Sequence, residues 1–246
     1  WAWQKLWLLS AIFLLLAAPV LWQLLKQERT PQSFAKNTTT SVGMRARHWT
    51  RMEAIRHPLF WYILPLLLGP GAFGTAFFFH QVHYAEIKSW EHFVFVSFLP
   101  IYTGVSVLSM LFSGWALDKF GTVNLIPYLQ LPLAAAFVCF AFGSDLKLLL
   151  LGFILFAITS GANFTLPNAF LAECYGTSHL GAIKGLASAV MVLGSALGPG
   201  ITGLLIDSGV GLEVQYTWIA GYFVLSSILV FVGVVNARTE LNNRLD

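Results

Sequence analysis

Long unbroken runs of apolar residues, separated by short polar links, set the pattern of this chain. Seven such runs read as Leu6 to Leu25, Leu59 to Gln81, Phe93 to Trp115, Val123 to Phe142, Leu148 to Leu171, Leu186 to Ile206 and Thr217 to Val235. Each comes close to the ~20 residues that a helix needs to cross a hydrocarbon core about 30 Å thick. Barrel strands would alternate apolar and polar positions over segments of about ten residues, and these runs do not alternate. The pattern therefore predicts an all-α, polytopic membrane bundle of seven transmembrane helices. Its parts are a first helix over 1–25, a basic loop over 26–57, a six-helix bundle over 58–236 and a tail over 237–246.

Composition agrees with the pattern. Hydrophobic residues make up 57% of the 246, and charged residues only 10%, against about a quarter in soluble domains. The charges also give an orientation. Eleven Lys and Arg fall in the long loop, in the alternate short loops and in the tail, and only Lys5, Lys88 and Lys147 fall on the other side. Basic loops stay in the cytoplasm, so the expected location is the plasma (inner) membrane, with the C-terminus cytoplasmic. The net charge of +3 is then topology, and no nucleic-acid partner is needed. The first run is too long for a signal peptide and lacks a small-residue cleavage site. The chain starts at Trp1 without an initiator Met, which leads us to expect residues upstream. Cys139 lies inside a span and Cys174 at a helix end, a poor setting for a disulfide. The sugar-acceptor patterns at Asn37 and Asn163 fall on the cytoplasmic side and within the membrane.

"GPGAFG", Gly69 to Gly74, and "GPGITG", Gly198 to Gly203, both fit G-x-G-x-x-G. A dinucleotide site needs a strand before the glycines and a watery crevice around them, and both motifs lie inside predicted membrane helices. The mechanical reading is stronger. Pro70 and Pro199 remove backbone donors, while Gly69, Gly71, Gly194 and Gly198 let another backbone approach or the helix unwind. Close packing and a moving part of a transport pathway both remain open for these positions.

Polar groups near the middle of the spans are candidates for a solute pathway: Tyr102, Thr103, Ser160, Asn163, Thr165 and Ser195, with Thr159 beside them. Asn163 is the best of these, because its amide both donates and accepts. The competing reading for each is a hydrogen bond between helices. His80, toward the outer end of the second span, is a candidate for proton coupling, having an ordinary pKa near 6.5. With His83 and His92 it does not make a metal site, because no cysteine or carboxylate cluster accompanies it. No Arg, Lys, Asp or Glu lies in the central part of a span, so a counter-ion for a charged solute would come from elsewhere. No Ser/His or paired-carboxylate arrangement sits at one depth, so neither an enzyme nor a cofactor is expected.

"GWALDKFG", Gly114 to Gly121, resembles the loop signature of the major facilitator superfamily. It keeps Gly114, Asp118, Lys119 and Gly121, has Ala116 where the family usually shows Leu, and lacks the basic pair that commonly follows. The long basic loop after one helix and before six more resembles the central loop of a twelve-helix transporter, so the chain resembles helices six to twelve with that loop. "GSALGPGITG" is similar to a glycine-proline signature of antiporters, with different glycine spacing. The stretch from Tyr175 to Asp207 is similar to monocarboxylate and oxalate/formate carriers. This resemblance implies a secondary active transporter that works by alternating access and moves a small solute, an organic acid first among the candidates, with sugars, drugs and amino acids open. It implies as partners the bilayer, a coupling proton and the missing N-terminal half. Physically, Asp118 can accept from a helix N-terminus and Lys119 can pair with an acid such as Glu173, which would latch the cytoplasmic side; the competing reading is a solvated turn whose charges only enforce topology. A self-contained seven-helix receptor or sensor has the same topology. Retinal proteins need a lysine in the last span, which has none, and receptors rarely carry so long a first cytoplasmic loop.

Overall fold

The computed structural model describes residues 3–27 and 42–242. Arg29, Lys36, Arg244 and the Asn37 acceptor pattern lie outside them. The chain forms two units, 1–40 and 41–246. Within the first, Trp3–Gln27 is one helix with Pro19 inside it, its large side chains exposed on every face. A helix that is apolar all round suits lipid or another helix, not water.

The second unit holds six membrane-length helical spans: Pro58–Phe79, His92–Phe120, Thr122–Phe142, Leu146–Tyr175, Leu180–Asp207 and Leu212–Leu241, numbered second to seventh. Together with Trp3–Leu24 they make seven, and no strand occurs among the described residues. The protein is an integral, multi-pass membrane protein. Several spans run beyond the expected apolar windows, because a helix tolerates charged residues in its last turns where they reach the interface. The third continues to Phe120, so Gly114, Asp118 and Lys119 lie in its final turns and not in a loop. Only Gly121, with φ of 77°, ends it. The sixth begins at Leu180 and not at Leu186, which brings Lys184 into the helix.

The spans pack as an open arc. The third lies on the fifth, the fifth on the fourth, the fourth on the seventh, the seventh on the second, and the second on the sixth. Two core clusters fill the arc. One is aromatic and lies toward the end that carries Lys88, with Phe77 stacked on Phe140 at 4.3 Å between ring centres. The other is mostly aliphatic and lies toward the end that carries Arg45 to Arg56, with Met44, Ile63, Leu66 and Ile183 wholly buried. We call these the ring end and the basic end.

Of the two proline sites singled out in the sequence, Pro70 interrupts its span and Pro199 does not; a further interruption lies near Pro167. In the second span, Pro70–Gly74 widens into a π-helical turn, a feature often found at functional sites. Pro70 cannot donate to the Leu66 carbonyl, and the buried Gln130 amide donates to it instead at 2.7 Å. In the fifth span the helix breaks between Asn163 and Leu166. There Pro167 has no N–H to offer the Asn163 carbonyl.

Candidate functional site

A cavity of about 660 Å³ lies inside the arc, between the third and fifth spans on one side and the second and sixth on the other. Its size falls in the usual range for small-molecule sites. The third span supplies Tyr102, Thr103, Ser106 and Val107; the fifth supplies Phe156, Thr159, Ser160, Asn163, Phe164, Pro167, Asn168 and Leu171. The second contributes Leu67, Pro70 and Gly71, and the sixth Lys184, Ala187, Ser188 and Met191. Both helix interruptions, at Pro70 and at Pro167, therefore border the cavity. Irregular backbone is tolerated at membrane depth where it lines such a space.

Local bonding sorts the polar lining. The Tyr102 hydroxyl donates to Ser160 Oγ at 2.8 Å, joining the third span to the fifth. Thr103 and Thr159 donate to backbone carbonyls, of Leu99 at 3.0 Å and of Leu129 at 3.2 Å. Asn168 donates to the Phe164 carbonyl at 2.8 Å. Asn163 is half-buried at the helix break, where its side chain borders the open space. Of the expected pathway residues, the structure brings Tyr102, Thr103, Ser160 and Asn163 to one wall. Thr165 and Ser195 are not in the lining. Ser195 donates back to the Val192 carbonyl of its own helix at 2.8 Å.

Three glycines of the second and sixth spans lie against the backbone of the facing helix, and Gly69 lies against the seventh span. A Cβ on Gly71 would stand 2.5 Å from the Met191 carbonyl oxygen, and one on Gly194 2.8 Å from that of Leu68. A Cβ on Gly198 would strike the Ala72 backbone, and one on Gly69 the rings of Tyr222 and Phe223. Pro199 sits inside a continuous sixth helix. Its carbonyl accepts from His80 Nε2 at 3.1 Å, so the imidazole bridges the second and sixth spans away from the cavity. Among the described residues, no group of three or more His, Cys, Asp or Glu could hold a metal ion.

At the basic end, Gly121 turns the chain from the third span into the fourth, whereas a Cβ on Gly114 would meet open space. Asp118 is exposed. The Lys119 ammonium stands over the rings of Trp115, at 5.1 Å, and Phe120, at 5.4 Å. Glu173 accepts a hydrogen bond from the Thr122 hydroxyl. That bond ties the fifth span to the start of the fourth.

The model of the Major Facilitator Superfamily matches residues 101–241, more than half of the chain. The chain belongs to the Major Facilitator Superfamily. No curated protein matches it. As a facilitator, this protein is of a transporter type, and the matched region runs from the third span to the seventh. Of the four spans that wall the cavity, the third, fifth and sixth lie in that region.

Sequence reasoning missed two features of this site. Lys184 was counted only as a loop charge that sets topology, and the absence of a charged residue from the apolar windows led us to look elsewhere for a counter-ion. The sixth helix starts earlier than hydropathy places it, so Lys184 stands near its beginning and borders the cavity, still outside the central part of the span. The break at Asn163 was legible in principle, since Pro167 follows it by one helical turn.

Proposed function

We propose that this facilitator is a secondary active transporter that moves a small solute, an organic acid first among the candidates, by alternating access. The observation that carries the reading is the cavity itself: a walled space at membrane depth with Tyr102, Ser160 and Asn163 on one side. The helix interruptions at Pro70 and Pro167 beside it support a moving part, as interrupted helices do in other secondary transporters. The lining runs from the middle of the spans toward the basic end, and buried rings fill the opposite end. In this reading the protein is drawn open toward its basic side, the cytoplasm, and an upstream N-terminal half completes the cavity across its open face.

Solute counterflow into proteoliposomes, with a panel of labelled short-chain organic acids, sugars and amino acids, tests the proposal. One class is expected to exchange. Asn163→Ala is expected to weaken the apparent affinity for that class by roughly tenfold, the cost of losing about one well-placed hydrogen bond in a dry site. Exchange with unaltered affinity in this variant would leave Asn163 a packing residue.

A further inference from the structure

The cavity wall carries a charge whose role the transporter type does not explain. The sixth helix turns Lys184, Ala187, Ser188 and Met191 toward the space, positions three, four and seven residues apart that share one helix face. Lys184 is half-buried there. Lys5 and Lys147 are exposed, and two other lysines of the six-span bundle have partners. Lys88 pairs with Glu213 at 2.5 Å, and Lys119 lies over Trp115 and Phe120. Lys184 forms no ion pair, hydrogen bond or ring contact with any described residue. No Asp or Glu is in the lining at all.

Among the described residues, the walls this bundle supplies therefore hold one cation and no compensating anion, and are otherwise apolar or neutral. A half-buried ammonium without a partner in such a wall attracts whatever negative charge enters, more strongly than it would in bulk water. One uncompensated positive charge matches a monoanion. A dianion would bring a second charge that these walls leave unpaired. Phe156, Phe164, Leu133 and Leu171 offer apolar surface for a hydrocarbon body, and Ser188, one turn from Lys184, offers a hydroxyl donor to the same headgroup.

We propose that Lys184 makes this cavity a site for a small organic monoanion, with the carboxylate at Lys184 and the apolar body against the aromatic wall. This rests on the reading of the cavity as the solute site. It adds to that reading the charge that is recognised and the residue that recognises it.

Equilibrium dialysis of the purified full chain in phosphatidylcholine nanodiscs tests the proposal, with labelled benzoate and butyrate against their neutral counterparts, benzamide and butyramide. The carboxylates are expected to bind roughly 10- to 100-fold more tightly than the amides, the range for a hydrogen bond to a charged group. Lys184→Gln is expected to bring benzoate down to the affinity of benzamide, with an unaltered unfolding midpoint reporting that the variant is folded. Lys184→Arg is expected to keep most of the preference. Equal binding of acid and amide, or a preference that survives in Lys184→Gln, would overturn the proposal. Loss of benzoate binding in phosphatidylglycerol nanodiscs would assign the cation to a lipid headgroup and overturn it also. Counterflow separates this from the transport reading: carboxylate binding without exchange sinks transport and keeps the anion site. Exchange of a neutral solute without carboxylate binding does the reverse.

Discussion

The two ends of the six-span bundle are held together by different physics. At the ring end, Phe77, Phe95, Phe137, Phe140 and Phe153 are wholly buried against one another and against Tyr84 and Tyr216. Tyr84 also donates to the Phe140 carbonyl at 2.7 Å. Lipid is as apolar as these rings, so burial from water gives little here; what holds them is close contact and ring geometry. At the basic end, the segment Gly43–His57 lies across the ends of the second, fifth and seventh spans. Trp49 is its anchor, 3% exposed. The indole donates to the Met44 carbonyl at 3.0 Å, and the Trp49 N–H to that of Tyr175 at 3.0 Å. Arg47 stands over the indole at 4.2 Å, and Glu240 takes Arg45 at 2.6 Å and His57 at 3.2 Å. One end is a plug of many small contacts that are lost together. The other is a strap of a few polar contacts that can be released one at a time.

The contrast is broken most directly at Phe77, which meets eight other rings. Phe77→Ala is expected to cost about 3–5 kcal/mol, read as a fall in the unfolding midpoint of the detergent-solubilised protein. If the midpoint barely moves, the ring end is not the rigid half. A smaller effect, on rate and not on folding, is expected at the basic end. Asp118→Asn should reduce counterflow roughly tenfold, the scale of a typical coupling between states, at normal membrane abundance. Unchanged flux would end the idea that Asp118 and Lys119 latch this side.

The smallest effect concerns the strap itself. Thr50 and Glu53 form a reciprocal cap on the helix Arg51–Arg56, with the Thr50 N–H donating to Glu53 at 2.8 Å. That bond and the Thr50 hydroxyl hold the Glu53 carboxyl below its ordinary value of 4.5. A lowered folded pKa means stability that is present above the unfolded value and lost as the pH falls through the folded one. Amide exchange in Gly43–His57, corrected for intrinsic rates, should therefore stay slow at neutral pH and rise on acidification below the ordinary glutamate value of 4.5. In Glu53→Gln the protection should be weaker at neutral pH and insensitive to acid.

The number and type of spans were legible because a membrane helix must satisfy its backbone internally and face lipid with apolar side chains, and both demands write themselves into hydropathy. Helix ends were less legible. Lys184 and Lys119 lie in helical turns that hydropathy assigns to loops, since a charge near the interface costs little there. Four of the six pathway candidates reached the cavity; Ser195 did not, because helical phase decides which face a residue shares, and its hydroxyl turns back on Val192. Gly71, Gly194 and Gly198 stand out in the sequence as positions where another backbone can approach. Which backbone each would meet is a long-range fact that one sequence does not carry.

Those contacts have a kinematic consequence. The second and sixth spans touch backbone to backbone through Gly71, Gly194 and Gly198, and the third and fifth do so where Gly161 meets the Ser106 carbonyl and the Met110 amide. Neither pair can slide apart by a side chain's width without losing all of these contacts together. The cavity lies between the pairs, so its walls are two two-helix plates, with the fourth and seventh spans as the backing that joins them. A change in cavity width is then a rotation of one plate against the other, a single degree of freedom where four separate helices would have had many.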